Sequence, residues 1–516
     1  MKRSKPLYFS YLVLSFLGIS LLLFIIFSRL VAYFETADKM AGRFYPAGQK
    51  PVNYRPDFTW TLDKSEGRAM EEHTLEKITD HYLSSYYYHN KLLSEGNKAG
   101  LKDHFTDRSR DKVFAAAAEL HAARQKTKST TIHHDLTLDF YSEDGTLVVL
   151  RDIHIRYFQL YENDRFILAD YDTAQYDVML LLEDNFWRVR HKVRSSIEKR
   201  PVTLTGSPCI EVKGDQFVYA DKAFISKGIN YYPAEYPWEK FWTHFDPVLL
   251  RQDFSLIQTA GFNTIRIFVP YEQFGGPDVI EKYLNDLEML LDIAQEYDLK
   301  VIVTLFDFFL QYQADQWTLA DRHVEIIATR LKYHEAVFAW DVKNEPDLDF
   351  DTAGEDEVKE WLSFIIKRIR GYDQNHLLTV GWSSPEYITE LHEVVDYYSF
   401  HYYNEPQDLT RYLSSSYDKP LLLEEMGQHS YAAWFYPFRK TRRDQLEYLS
   451  DLTKVIREHN ISYALWTLYD FRQIPDNVVG TLPWRKGIQK NFGLIDKRNK
   501  KKKAFELIKT FNEGYL

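Results

Sequence analysis

At 516 residues and 61.3 kDa the chain exceeds one ordinary core, which predicts two folded units with a tail or anchor. A formal charge of -11 excludes a nucleic-acid groove, which needs a basic field, and the single cysteine, Cys209, excludes an intrachain disulfide. Aromatic residues make up 16% of the chain, a share that must fill cores or line a surface that stacks on flat partners such as sugars.

The amino terminus, Met1-Lys2-Arg3-Ser4-Lys5, is basic, and Leu7 to Phe27 follows without a charged residue. That length suits one helical crossing of a bilayer, and the preceding basic residues predict a cytoplasmic amino terminus. Residues 1–35 are therefore expected to be an uncleaved single-pass anchor, with the remainder periplasmic or extracellular. A cleaved signal peptide is the alternative, but Ser28-Arg29-Leu30 and Val31-Ala32-Tyr33 make poor cleavage sites. Residues 36–64, with Gly42, Pro46, Gly48, Pro51 and Pro56, read as a stalk.

Between residues 65 and 199, helical patterns over 75–93 and 111–125 precede strands over 130–141, 146–159, 166–171 and 178–190, with Ser142-Glu143-Asp144-Gly145 as a hairpin turn. Helices followed by strands without alternation predict an α+β domain. Its element order is similar to the nuclear-transport-factor-two-like superfamily. His133 and His134 are adjacent on a strand and point to opposite faces, so they are not expected to share a metal ion. Docking, spacing or dimerisation through this domain is the expected role.

Residues 200–222 read as a connecting hairpin around Val212-Lys213-Gly214-Asp215, and from 223 to 516 strands and helices alternate. Strands are expected at 224–231, 264–269, 300–306, 337–344, 377–382, 397–402, 420–424 and 463–467, each followed by a helical segment such as 279–297. Eight such units over roughly 290 residues predict an α/β fold, the (β/α)₈ barrel, whose chemistry sits at the carboxyl ends of its strands.

Ala339-Trp340-Asp341-Val342-Lys343-Asn344-Glu345-Pro346 is an apolar strand stopped by proline, which leaves Glu345 at its carboxyl end. Lys419-Pro420-Leu421-Leu422-Leu423-Glu424-Glu425-Met426-Gly427 repeats the design and exposes Glu425. Two carboxylates on one rim are the minimum for breaking a glycosidic bond. Strand alternation predicts that Glu424 points away from the barrel axis into a structural ion pair.

These motifs, with Trp340 before Asn344-Glu345-Pro346, Glu425-Met426-Gly427, Arg266 on the second strand, His401 and Tyr403 after the sixth, Trp466 after the eighth, and the tail Asn491-Phe492-Gly493-Leu494-Ile495-Asp496, resemble the clan of retaining (β/α)₈ glycoside hydrolases of cellulase and mannanase type, family 5 in style. The resemblance implies that Glu345 is the acid/base and Glu425 the nucleophile. It further implies that Arg266 and Tyr403 serve Glu425, Asn344 binds the sugar 2-hydroxyl, His401 orients the polar groups and Trp466 floors the reactive-sugar subsite. Many relatives carry histidine at the end of strand three where this chain has Phe306-Asp307, so Asp307 is expected to bind a sugar hydroxyl or to accept from Arg266. Tyr231, Tyr232, Trp238, Trp242, Tyr312, Trp317, Trp434 and Trp484 fall in strand-to-helix loops, where they stack on sugars or pack the loops. The implied partner is a β-linked gluco- or manno-configured polysaccharide or oligosaccharide, with no metal or organic cofactor. Transglycosylation, or a catalytically silent carbohydrate-binding subunit of a polysaccharide export or synthesis complex, are the alternatives.

Overall fold

In this computed structural model the described residues are 54, 56–62, 65–195, 210–434 and 436–515. The expected anchor over 7–27, most of the expected stalk and Cys209 lie outside them. Among the described residues no helix is long and apolar enough to cross a membrane.

The first domain consists of β1 (Asp57–Thr61), β2 (Glu66–Gly67), α1 (Glu72–Glu95), α2 (Leu101–His104), α3 (Asp107–Ala122), β3 (Gln125–Tyr141), β4 (Leu147–Glu162), β5 (Arg165–Glu183) and β6 (Phe186–Ser195). The sheet order is β1-β3-β4-β5-β6, with β2 also on β3; β1 and β2 run parallel to β3, and the rest is antiparallel. Residues 57–61, within the stretch read as a stalk, are thus a strand. The run expected as two strands, 166–171 and 178–190, is one long strand and a hairpin. The turns fall instead at Asn163-Asp164 and Asp184-Asn185, all four left-handed in φ, a conformation Asn and Asp tolerate. Ile78, Tyr82, Leu83 and Tyr86 of α1 pack over Leu136, Leu138, Leu150, Val178 and Leu180 of the sheet.

A small sheet of β7 (Glu211–Lys213), β8 (Gln216–Tyr219) and β9 (Lys222–Phe224) follows. Its Phe217 stands edge-on to Phe338 and Tyr397, at 5.2 and 5.1 Å, and with Ile302 and Leu422 closes the amino-terminal mouth of the barrel.

The barrel strands are β10 (Lys227–Asn230), β11 (Thr264–Pro270), β12 (Lys300–Asp307), β13 (Val337–Asn344), β14 (Leu377–Trp382), β15 (Tyr398–Tyr402), β16 (Leu421–Met426) and β17 (Ser462–Leu465). All are parallel and close in chain order, β17 pairing with β10. Their continuous apolar runs fit strands covered on both faces. The helices between them begin at local signals: Asp246 accepts from the amides of Val248 and Leu249 ahead of Pro247–Thr259, and Thr441 with Asp444 forms a capping box for Arg442–His459.

The two domains share a core. Ile132 of β3 joins the barrel's hydrophobic cluster, Tyr157 of β4 stands edge-on to Phe364 at 4.9 Å, and Thr130 hydrogen-bonds Thr318 on the barrel helix Trp317–Leu331. Near their carboxyl ends the barrel strands slip register: β13 against β14 between Asp341 and Asn344, β15 against β16 between Phe400 and His401, and β16 against β17 between Leu423 and Met426. At the last of these, consecutive Glu424 and Glu425 both face Arg266.

Candidate active site

Arg266 of β11, fully buried, is the hub. Its Nη1 donates to Glu425 Oε1 at 2.6 Å and to Asn230 Oδ1 at 3.1 Å, and its Nη2 donates to Asp341 Oδ2 at 2.6 Å and to Asn344 Oδ1 at 2.9 Å. Burial opposes its charge, but Glu424, Asp341 and Glu425 outweigh that and hold the guanidinium charged. With its carbonyl engaged by Arg266, Asn344 is left its Nδ2 as the donor for a ligand. Tyr403 donates from the opposite side to Glu425 Oε2 at 2.7 Å.

Glu345 lies just past β13 in a left-handed conformation, φ 48° and ψ 50°, with its amide donating to the carbonyl of Gly381 at 2.8 Å. A non-glycine residue there is strained, and the following Pro346 with the β14 contact keeps it in place. His401 Nδ1 is 2.9 Å from Glu345 Oε1 and 3.7 Å from Glu425 Oε2, and all three groups have ligand atoms within 4.8 Å of one another. Burial raises Glu345, but the His401 hydrogen bond and charge, with Arg266 and Lys343, hold the carboxyl below its usual range. Against burial, Glu425 and Glu345 raise His401. The proton of this pair therefore rests on the imidazole when the site is empty.

Glu424 corrects the alternation argument. It points into the barrel beneath the site, accepting from Ser399 Oγ at 2.9 Å with Arg266 Nε 3.6 Å away. The ion pair is present, but the slip between Leu423 and Met426 lets Glu424 and Glu425 face the same arginine. Burial, with Asp341 beside it, pushes Glu424 up to about 7.

Asp307 ends β12, buried, and its carboxyl feels the charges of Lys343, Arg266, Glu425 and Glu345. It takes no hydrogen bond from Arg266, so the second of its two expected roles is not realised. Trp466 lies buried after β17, its ring 6.1 Å from Phe268 and 6.0 Å from Trp238. Of the eight loop aromatics, Tyr231, Tyr232, Trp238, Trp242, Tyr312 and Trp317 are core residues; Trp434 and Trp484 are exposed. Lys343 was missed. Its Nζ pairs with Asp349 at 3.2 Å and its charge faces Asp307, for which its place beside Asn344-Glu345 was the available signal.

A second group with metal-ligand chemistry lies in the first domain, where His134, Asp152 and His154 come within 4.8 Å of one another. Asp152 already accepts from Tyr82 at 2.6 Å and Tyr86 at 2.9 Å and lies 3.0 Å from both imidazoles, a closed hydrogen-bond network. His133 sits on the opposite, exposed face near Asp135.

Residues 228–472 match the cellulase model of glycosyl hydrolase family 5. The chain is 22% identical over 211 residues to mannan endo-1,4-beta-mannosidase A of Hypocrea jecorina, covering 34% of this chain and 46% of that protein. It is 25% identical over 313 residues to a beta-glucuronidase of Chlorocebus aethiops, covering 55% and 44%. The chain thus spans less than half the length of either. Among solved structures, an exo-beta-1,4-mannosidase from Opitutaceae bacterium strain TAV5 aligns with 21% identity and TM-score 0.48 over 58% of this chain and 61% of that one. A GH2 beta-galacturonidase from Eisenbergiella tayi aligns with 14% identity and TM-score 0.46 over 75% and 72%. Through residues 228–472 the chain carries a cellulase domain of glycosyl hydrolase family 5.

Proposed function

We propose that the protein hydrolyses a β-linked, gluco- or manno-configured polysaccharide or oligosaccharide by double displacement. One observation carries the reading: Glu345 and Glu425, from different strands, bring carboxylate oxygens within 4.8 Å, while Arg266 and Tyr403 both donate to Glu425 and neither to Glu345. Retaining glycosidases hold their carboxyl groups about 5–5.5 Å apart, and inverting ones need about 6.5–9.5 Å to admit a water.

In the first step Glu425 attacks the anomeric carbon, the glycosidic C–O bond breaks, and Glu345 gives its proton to the leaving oxygen. Glu345, now ionised, takes a proton from water, whose oxygen displaces Glu425 and restores it. The proton that Glu345 gives in the first step comes to it from His401 across 2.9 Å, and the one it takes from water returns to His401 when the cycle closes. Asn344 Nδ2 donates to the sugar 2-hydroxyl, and Trp466 forms the subsite floor.

The likeness to a mannan endo-1,4-beta-mannosidase supports placing mannans first among substrates. The uncharged stretch 7–27 supports an anchored protein acting outside the cytoplasm on a polysaccharide in export, and helices followed by long strands support a nuclear-transport-factor-two-like first domain for docking or dimerisation. Exposed Trp434 and Trp484, in the loops after β16 and β17, favour transglycosylation as the second reading, since they offer surfaces for an acceptor sugar.

The test incubates the protein with β-mannans and β-glucans and follows reducing ends and the anomer first released. Hydrolysis with retention, lost in Glu425→Ala, is expected. Longer products without net reducing ends would move the reading to transglycosylation. No turnover by a folded protein that binds oligosaccharide would make it a binding subunit.

A further inference from the structure

The end of β12 is held in a conformation that side chains disfavour. Phe306 and Phe308, on either side of Asp307, both have left-handed φ, 48° and 61°. Such positions are strained, and the ring of Phe306 packs against Tyr271, Phe309 and Trp361 at 5.5, 5.1 and 4.9 Å. Between them Asp307 ends β12 with 7% exposure, and the charges of Lys343, Arg266, Glu425 and Glu345 act on its carboxyl.

Its fold-level neighbours are satisfied and it is not. Buried Asp253 accepts from Tyr231 and Tyr469, Asp321 from Arg368 and Tyr372, Asp341 from Arg266 and Thr304, and Asp373 from Trp340 and His376. Among the described residues none donates to the Asp307 carboxyl. The Oη of Tyr232 is buried and without a partner. The Asp307 oxygens, which no protein group donates to, are not sealed from solvent, so a donor from outside the chain can reach them and replace water.

The surroundings also say which kind of ligand suits. Both terminal nitrogens of Arg266 are bonded to protein acceptors, and Lys343 pairs with Asp349, so a sugar carboxylate would meet Asp307 with both of these cations engaged. Hydroxyl groups would meet an acceptor that has no other donor.

We propose that Asp307 is the specificity-determining residue of the reactive-sugar subsite, its carboxylate accepting from hydroxyls of a neutral hexose and excluding a uronic acid. This rests on the hydrolase reading above. Nothing in the catalytic pair requires Asp307, so its loss acts through sugar selection.

The experiment compares full-length wild type, Asp307→Asn and Asp307→Ala on aryl β-mannoside, β-glucoside and β-glucuronide, and measures binding of mannotetraose, cellotetraose and a glucurono-oligosaccharide to Glu345→Gln with and without Asp307→Asn. A charged hydrogen bond lost predicts that kcat/KM for the preferred neutral glycoside falls about 10- to 100-fold in Asp307→Asn, the discrimination against glucuronide shrinking with it. Circular dichroism separates misfolding of Asp307→Ala from the effect, and the near-isosteric Asp307→Asn carries the test in that case. Turnover unchanged within threefold in Asp307→Asn, or a wild type that prefers the glucuronide, overturns the proposal and leaves the hydrolase reading intact. No turnover by wild type, with neutral-sugar binding that depends on Asp307, overturns the hydrolase reading and leaves this one. Neither turnover nor binding overturns both.

Discussion

His401 Nδ1 approaches Glu345 Oε1 to 2.9 Å, so the acid of the proposed reaction and its neighbour share one proton. The pair titrates as a unit, and its upper step follows the raised His401. With glycosidic oxygen protonation needing a proton on the pair, the basic limb of kcat/KM lies above the ordinary histidine range. His401→Asn leaves Glu345 to hold the proton alone, beside Arg266 and Lys343. The basic limb is expected to move to lower pH, so that activity at pH 8 falls more than at pH 5; equal losses at both would show that His401 only orients Glu345.

Gly381 is close to three buried side chains of the candidate site. A Cβ there would lie 2.7 Å from Glu424 Oε2, 3.1 Å from Arg266 Nη2 and 3.2 Å from His401 Nε2, and none of these can retreat without breaking a bond of the buried network. Gly381→Ala is expected to lower stability by about 1–3 kcal/mol through overpacking. Because displacing the arginine misplaces Glu425, kcat is expected to fall about 100-fold, measured beside the denaturation midpoint.

Removing Glu425 as nucleophile is expected to lower kcat at least ~1000-fold. In Glu425→Ala the space beside Arg266 and Tyr403 admits azide, which can attack the anomeric carbon of an activated aryl β-glycoside and expel the phenol. The expected product is the α-glycosyl azide, identified by NMR, with activity rising with azide. A β-azide from this variant would reverse the roles of the two glutamates.

The Asp307 carboxyl is pushed up to about 7 by burial, against Lys343 and Arg266. Its unfolded value is near 3.8, so the folded protein holds the extra proton between about pH 4 and 7 and loses stability as pH rises through that window. Above pH 7 the ionised, unpaired carboxylate destabilises by on the order of 2–4 kcal/mol. Asp307→Asn is expected to raise Tm at pH 8 and leave it little changed at pH 4. A variant that melts lower at pH 8 would mean the carboxylate has a stabilising partner.

The shared core ties the domains into one unfolding unit. Tyr157 packs edge-on to Phe364 and beside Trp317, 6.4 Å away. Tyr157→Ala is expected to cost about 2 kcal/mol and to split one calorimetric transition toward two. A single unshifted transition would show that this contact does not couple them.

What the chain's own order of residues determined was the barrel and which polar side chains stand at its carboxyl-end rim. Apolar runs at strand length, each ending in polar residues, placed Arg266, Asn344, Glu345, His401, Tyr403 and Glu425 at one rim, because a parallel strand buried on both faces must be apolar until it emerges. Only the tertiary structure decided which of these groups touch. Register slips carry Glu424 inward against simple alternation, and hairpin closure brings Asp152 and His154 to His134. Six loop aromatics became core because the barrel's upper layer lies over them. The isolation of Asp307 was equally invisible, since a missing partner is a property of all the surrounding strands. Local sequence sets side-chain type and strand ends; closure of the sheet over long chain separations sets the contacts each carboxyl makes.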